Sequence, residues 1–246
     1  MSVDQQNLLN SVLHLGDNVL ILGHRLSEWC GHGPVLEQDI AMTNIALDLI
    51  GQARMYYDLA AEIEGGGRDQ DFYAYKRDVL DFKNLLLVEL PNGNFADTIA
   101  RQFFFDQWHF LLLDELTRSS EPRLQAIAQK SLKEVKYHRR WSSEWVVRLG
   151  DGTQESKEKM QQAIDDIWYF TGEAFMPAPY EEGILPTGLK ENWLKSVSET
   201  LHEAKLKLPE ETWMQDGGKT GYHTEYLGYI LAEMQFLPRA YPDASW

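Results

Sequence analysis

Residues 95–149 read FADTIARQFFFDQWHFLLLDELTRSSEPRLQAIAQKSLKEVKYHRRWSSEWVVRL, and this stretch decides the fold. It predicts two long helices joined by a break at Ser119–Pro122. Each helix carries one acid within an apolar stripe that recurs every three or four residues, Asp106 in the first and Glu134 in the second. An acid in such a stripe is unfavourable unless it is paired, protonated or bound to a metal ion.

The start of the chain repeats this layout. A helix predicted from Asp4 to Trp29 is followed by a break at Cys30–Pro34 and by a second helix from Leu36 to Glu64. Asp17 and Asp48 lie within the apolar stripes of these helices. Each of the four acids lies about 12 to 14 residues from the break beside it, so we expect them at one level of a bundle.

The sequence therefore predicts an all-α protein, a ferritin-like four-helix bundle with additional C-terminal helices. We expect a single domain over residues 1–246, in which 1–64 form the first hairpin, 94–149 the second hairpin and 150–246 the C-terminal helices. Asp4 is predicted to cap the first helix, Asn94 to cap the helix that begins at Phe95, and Pro238 to end the last helix.

The acid layer has the layout of a di-iron carboxylate site, but it lacks two of the required ligands. Such bundles carry Glu-x-x-His on two helices. Here the third step after the acid is a glycine in one helix and a tyrosine in the other. We therefore interpret the layer as a degenerate metal site with no catalytic, cofactor-binding or metal-binding residue. Its positions are Asp17, Asp48, Gly51, Asp106, Glu134, Tyr137 and His138.

Two interpretations of this layer remain open on the residues alone. The first is a polar layer neutralised within the protein, for which the nearby candidate partners are Arg25, Arg54, Arg101, Lys136 and Tyr137. The alternative is a carboxylate-rich di-metal oxidase in its own right, built from Asp17, Asp48, Asp106, Glu134 and His138. The absence of both Glu-x-x-His histidines favours the first.

Composition limits the classes of partner. The 246-residue chain has a formal net charge of −15, so we expect no nucleic-acid binding. It contains one cysteine, Cys30, which we expect to be a small buried residue at a helix end. No signal peptide or membrane-spanning run is recognised, and a cytoplasmic location is expected. The stretch Gly217–Thr220 resembles a phosphate-binding loop but lacks its first glycine, so we expect an ordinary loop.

Several blocks of sequence together resemble one known family. They are Leu15–Asn18, Glu28–His32, Asp48–Arg54, Asn84–Glu89, Pro91–Gln102, Lys133–Glu134 with Tyr137–His138, His223–Glu225 and Leu231–Gln235. In this order they resemble the C subunits (PaaC) of bacterial ring-1,2-phenylacetyl-CoA epoxidases, multicomponent monooxygenases of phenylacetate degradation. The resemblance runs along nearly the whole chain.

This resemblance implies a ferritin-like subunit that is structural and has no activity alone. In the family, a catalytic A subunit holds the di-iron centre and the CoA ester, and the C subunit pairs with it. A reductase subunit with flavin and an iron–sulfur cluster supplies electrons from NADPH. The resemblance therefore implies no cofactor on this chain and a catalytic A-type subunit as its partner. A homodimer of the isolated chain is a further alternative.

Overall fold

The computed structural model of the protein describes residues 1–210 and 212–244. Within these ranges all regular structure is helical and no strand occurs. The eight α-helices are α1 (Val3–Ser27), α2 (Leu36–Glu64), α3 (Gln70–Tyr75), α4 (Phe95–Leu116), α5 (Pro122–Gly150), α6 (Gln154–Trp168), α7 (Lys190–Glu203) and α8 (Glu225–Ala240). The all-α prediction is confirmed, and the two hairpins with their additional helices are consistent with a ferritin-like fold. Over the described part of the chain, no helix combines the length and the apolar character that a bilayer crossing requires.

The chain forms two compact units. The first contains Met1–Glu89, Ala178–Ile184 and the segment that begins at Gly217. The second contains Leu90–Pro177 and Leu185–Asp216. Each unit therefore holds one of the predicted hairpins, α1–α2 in the first and α4–α5 in the second. The expectation of a single domain over the whole chain stays a prediction.

In the first unit, the hairpin begins at a different cap from the predicted one. Ser2, not Asp4, is the N-cap of α1, because its hydroxyl accepts the backbone N–H of Gln5 while the Gln5 side chain accepts the Ser2 N–H. These reciprocal bonds satisfy two donors at the helix start. At the far end of the hairpin, α2 stops at Gly65, whose φ of 69° is left-handed.

The last helix of this unit continues through Pro238, so the prediction that proline ends it is wrong. α8 extends to Ala240, and hydrogen bonds to the segment after α3 hold its final turn. Lys76 donates to the Pro238 carbonyl, and Arg239 donates to the carbonyls of Tyr75, Lys76 and Arg77. These tertiary hydrogen bonds offset the backbone bond that proline cannot make.

In the second unit, the predicted start of α4 is confirmed. The Asn94 side chain accepts the N–H of Ala96 at 2.8 Å, and Asp97 accepts the N–H of Asn94 at 2.7 Å. The hairpin α4–α5 packs against α6 and α7 through aromatic rings. Phe104, Trp168 and Trp193 lie with centroids 5.7 to 5.8 Å apart, and the Trp193 indole donates to the Phe104 carbonyl. This aromatic cluster joins α4, α6 and α7.

Cys30 is exposed, so its predicted burial is wrong. The reason is that α1 ends at Ser27, before the predicted end at Trp29. Cys30 consequently lies in the exposed turn beyond the helix and not at its packed end. The thiol has no disulfide partner within the chain, since it is the one cysteine of the sequence.

Gly218 marks a close approach of two backbone segments in the first unit. A Cβ at this position would lie 2.2 Å from the Asn84 carbonyl oxygen and 3.2 Å from the Leu86 nitrogen. We expect Gly218→Ala to destabilise the protein by about 1 to 3 kcal/mol, because backbone atoms cannot move aside as a flexible side chain can. Chemical denaturation measures the change. The matched control is Gly66→Ala, where a Cβ meets no atom within 4 Å, and an equal effect there would contradict this reasoning.

Candidate functional site

Two of the four predicted inward acids are buried and two are not. Asp17 and Asp106 have no exposed surface, whereas Asp48 and Glu134 are half-buried. Gly51 is exposed. The sequence therefore identified the right helices. It predicted Asp48 and Glu134 to face the interior, whereas both are only half-buried.

Asp48 and Glu134 lie at the edge of the buried faces of α2 and α5. The residues that α2 buries at its centre include Ile45, Leu49, Gln52 and Tyr56. The residues that α5 buries include Ser131, Val135, His138 and Ser142. Asp48 and Glu134 each precede a buried position by one residue, and Tyr137, 40% exposed, precedes buried His138. Neighbouring positions on a helix point about 100° apart, so these acids lie at the flank of the buried stripe.

In the first unit, the Asp17 carboxylate is surrounded by donors. Tyr57 Oη donates to Oδ1 at 2.6 Å, and the Lys83 backbone N–H donates to Oδ2 at 2.8 Å. The Arg77 guanidinium pairs with both oxygens, through Nη1 to Oδ2 at 3.1 Å and through Nη2 to Oδ1. Asp17 is thus neutralised by a buried cation.

Arg77 is itself held in place by this unit. Its Nε donates to the Tyr73 carbonyl at 2.7 Å, and its guanidinium lies 4.2 Å from the Phe82 ring centroid. Burial by itself lowers the pKa of Arg77, but the carboxylate of Asp17 and the Tyr57 hydroxyl outweigh it and raise the pKa above its ordinary value. The guanidinium therefore remains charged in the interior.

The arginines proposed from sequence make other contacts. Arg25 donates to the Glu89 carbonyl, Arg54 to Gln70, and Arg101 to the Leu90 carbonyl and Asn92. Arg77 was missed because it lies 60 residues from Asp17, just beyond the short helix α3. Helical spacing carries no information about such a distant pair.

In the second unit, Asp106 is neutralised differently. Gln102 donates to its Oδ1 at 2.7 Å and Ser142 donates to its Oδ2 at 2.8 Å. Burial raises the pKa of Asp106 to about 7, although His138 and these two donors act in the opposite direction. Near neutral pH the Asp106 carboxyl is therefore protonated in a large fraction of molecules. Asp17, by contrast, is paired with the Arg77 guanidinium.

A second histidine lies near this centre. Burial lowers the pKa of His109 to about 3, and His138 contributes in the same direction. The ring is consequently neutral at physiological pH. His109 Nδ1 has no hydrogen-bond partner within the part of the chain that the structure describes.

Glu89 is a buried carboxylate that sequence reasoning did not single out. It accepts from Asn84 at 2.8 Å, from His223 at 2.6 Å, and from the N–H and hydroxyl of Thr224 at 2.8 and 2.6 Å. The sequence could have indicated that Glu89 is buried, because it is the one acid in the apolar run Leu85–Leu90 between the two predicted hairpins. In the structure it fixes the start of α8 to the end of the segment that follows α3.

Lys219 forms another buried ion pair in the first unit. Its Nζ lies 3.0 Å from Glu181 Oε1, and Glu181 also accepts the Ala178 N–H at 2.8 Å. Burial, followed by the charge of Lys219, lowers the pKa of nearby His14 to about 4. The stretch Gly217–Thr220 is a short 3-10 turn, and its lysine points into the protein, where a carboxylate neutralises it.

The donor set does not fit a di-iron pair. Over residues 1–210 and 212–244, no three His, Cys, Asp or Glu side chains are positioned to hold a metal ion. The oxygens of Asp17 are taken by Tyr57, Arg77 and Lys83, and a guanidinium beside a carboxylate repels a cation. The degenerate-site interpretation of Asp17, Asp48, Gly51, Asp106, Glu134, Tyr137 and His138 stays a prediction.

Fold and sites together define an all-α protein of two helical hairpins whose buried carboxylates are engaged by the protein's own donors. The sequence matches the family described as phenylacetic acid catabolic protein over residues 1–246. It is 52% identical over 241 residues to the C subunit of the 1,2-phenylacetyl-CoA epoxidase of Escherichia coli (strain K12), an alignment that covers 95% of this chain and 97% of the relative. The chain therefore belongs to the phenylacetic acid catabolic protein family.

Replacing Arg77 tests the neutralisation of Asp17. We expect Arg77→Met to destabilise the protein by about 3 to 5 kcal/mol, because it leaves a buried carboxylate without its cation. Urea denaturation followed by circular dichroism measures the loss. The control is Arg118→Met, which removes an arginine that is paired with Glu115 at the surface and is expected to change little. Equal effects of the two substitutions would contradict a special role for the Asp17–Arg77 pair.

Asp106→Asn tests the second centre through pH. Since the folded pKa is about 7 and the unfolded value is near 4, the folded state loses stability as pH rises between these values. A neutral asparagine avoids this loss, so the variant should exceed the parent protein in stability by at most about 4 kcal/mol above pH 7. The advantage should disappear near pH 4.

Thermal denaturation across pH 4 to about 8 measures this difference. Asp114→Asn, on the same helix but half-exposed, controls for the loss of one acidic side chain. A stability difference for Asp106→Asn that does not change with pH would show that this carboxyl is ionised in the fold throughout.

Proposed function

We propose that this chain is a structural, non-catalytic subunit of a phenylacetyl-CoA epoxidase in phenylacetate catabolism. In this role it pairs with a catalytic A-type subunit, which holds the di-iron centre and the CoA ester. The proposal is supported by the E. coli relative, which is named as the C subunit of such an epoxidase and aligns over almost the full length of both chains. An enzyme that has a C subunit contains at least one further subunit, which the C subunit can bind.

One structural observation carries the non-catalytic part of the proposal. The fully buried acid of the first hairpin, Asp17, is occupied by Arg77, Tyr57 and the Lys83 N–H. A metal ligand must present free lone pairs to the ion, and a buried arginine at that position removes them. This chemistry supports a helical hairpin that supplies packing surface to a partner. We further propose that the cofactors lie on other subunits, with iron on the catalytic subunit and flavin, iron–sulfur and NADPH sites on the reductase.

Metal analysis with and without the partner tests the proposal. The chain is expressed alone and together with the catalytic subunit of the same epoxidase, in iron-supplemented medium. We expect substoichiometric iron on the isolated chain, and a stable complex that binds iron and turns over phenylacetyl-CoA with the reductase present. The catalytic subunit without this chain should show reduced turnover.

The competing function is a di-metal oxidase using Asp17, Asp48, Asp106, Glu134 and His138. Its signature is about two irons per isolated chain, lost on Asp48→Ala. That result, or a failure of the two subunits to associate at any ratio, would overturn the proposed role.

A further inference from the structure

Helix α2 has two apolar faces, and the first unit buries only one of them. The buried face includes Ile45, Leu49 and Tyr56. On the opposite side Leu36 is 72% exposed, Ile40 52% and Leu47 62%. These three residues follow one another at steps of four and seven, so they lie on one line along the helix.

This outward stripe is free of charge over four turns. Thr43 and Ile50 are half-buried at its edge, and Gly51 is exposed at its end. From Leu36 to Gly51 the stripe is about 22 Å long at the helical rise. A Cβ at Gly51 would meet no atom within 4 Å, so the helix backbone is open to solvent at this end of the stripe. A facing helix can pack closely along an exposed apolar line of this kind, and nearest to the backbone at its glycine.

The charges around the stripe indicate which kind of protein surface binds there. Helix α2 carries six acids and one base, Arg54, and the acids nearest the stripe include Glu37 and Asp48. A second copy of this chain would bring an equally acidic helix against it, and each copy has a formal net charge of −15. An apolar helix face flanked by Lys and Arg on a different protein avoids this repulsion and is attracted by the same acids.

We infer that the outward stripe of α2, defined by Leu36, Ile40, Leu47 and Gly51, is the docking face for an apolar, Lys/Arg-flanked helix of the catalytic subunit. This inference rests on the proposed function, because that function supplies the partner. It adds a location and a chemistry to the partnership: apolar burial along the stripe supplies affinity, and the acidic flanks set orientation.

A pair of matched double variants tests the location. Ile40→Arg with Leu47→Arg places two cations in the stripe, and we expect affinity for the catalytic subunit to fall by roughly 30-fold or more. Val3→Arg with Leu80→Arg adds the same charge at residues that are 76% and 75% exposed and lie outside the stripe. This control should bind as the parent chain does. Sedimentation velocity with the full-length purified subunits measures both.

A second variant separates docking from folding. Gly51→Leu should raise the Tm of the isolated chain, because leucine favours helix more than glycine and meets nothing in this protein. The same side chain keeps a facing helix away from the α2 backbone, so binding to the catalytic subunit should weaken. A variant that is more stable alone but binds more weakly cannot owe its defect to misfolding.

The outcomes distinguish this inference from the proposed function. If the parent chain binds the catalytic subunit and the stripe variants bind equally well, the docking face lies elsewhere and only the inference fails. If the parent chain does not bind the catalytic subunit at all, both the proposed function and the inference are wrong. Self-association that the stripe variants abolish, with binding to the catalytic subunit intact, would assign the face to a second copy. Affinity that rises with added salt would likewise contradict a charge-complementary partner.

Discussion

The carboxylate of Asp17 is buried without any exposed surface in the helix that the first hairpin is built on. A charge in such a place is compatible with folding only when opposite charge and donors surround it. Arg77, Tyr57 and the Lys83 N–H supply them, and to do so the segment after α3 must fold back onto α1. The position of that segment follows from the need to neutralise one acid.

The same constraint recurs around the first unit in other forms. Glu89 receives donors from Asn84, His223 and Thr224, and Glu181 receives the ammonium of Lys219. Glu89 thereby fixes the start of α8 to the segment after α3, and Glu181 fixes the turn that contains Lys219. In the second unit burial raises the pKa of Asp106 to about 7, and Gln102 and Ser142 donate hydrogen bonds to this carboxyl. The two hairpins repeat one layout but solve the buried-acid problem by different chemistry.

This difference bears on function. An oxygen-activating carboxylate bundle needs acids that are ionised and open to a metal ion. Here a guanidinium pairs with one buried acid, Asp17, and burial raises the pKa of the other, Asp106, to about 7. No three ligating side chains are grouped within the described residues. The contacts of the buried acid in each hairpin therefore serve the stability of that hairpin. The outward stripe of α2 is exposed, and in the proposed complex a partner subunit buries it.

Local patterns in the sequence determined much of the secondary structure. The bounds of α2 agree with the prediction, and α4 begins at the predicted Asn94 cap. These features depend on contacts within four residues, which helical spacing and capping chemistry encode directly. The buried acids of α1 and α4, Asp17 and Asp106, were also correctly placed by the apolar spacing along a single helix.

Tertiary structure alone decided what those acids contact. Whether Asp48 faces inward or to the flank depends on how α2 is rotated against α1, and one helical position changes the answer by about 100°. Arg77 is 60 residues from Asp17 and Thr224 is 135 residues from Glu89, separations that no local pattern relates. The sequence by itself determined that buried charges need partners, and only the packing of distant segments selected which partners they have.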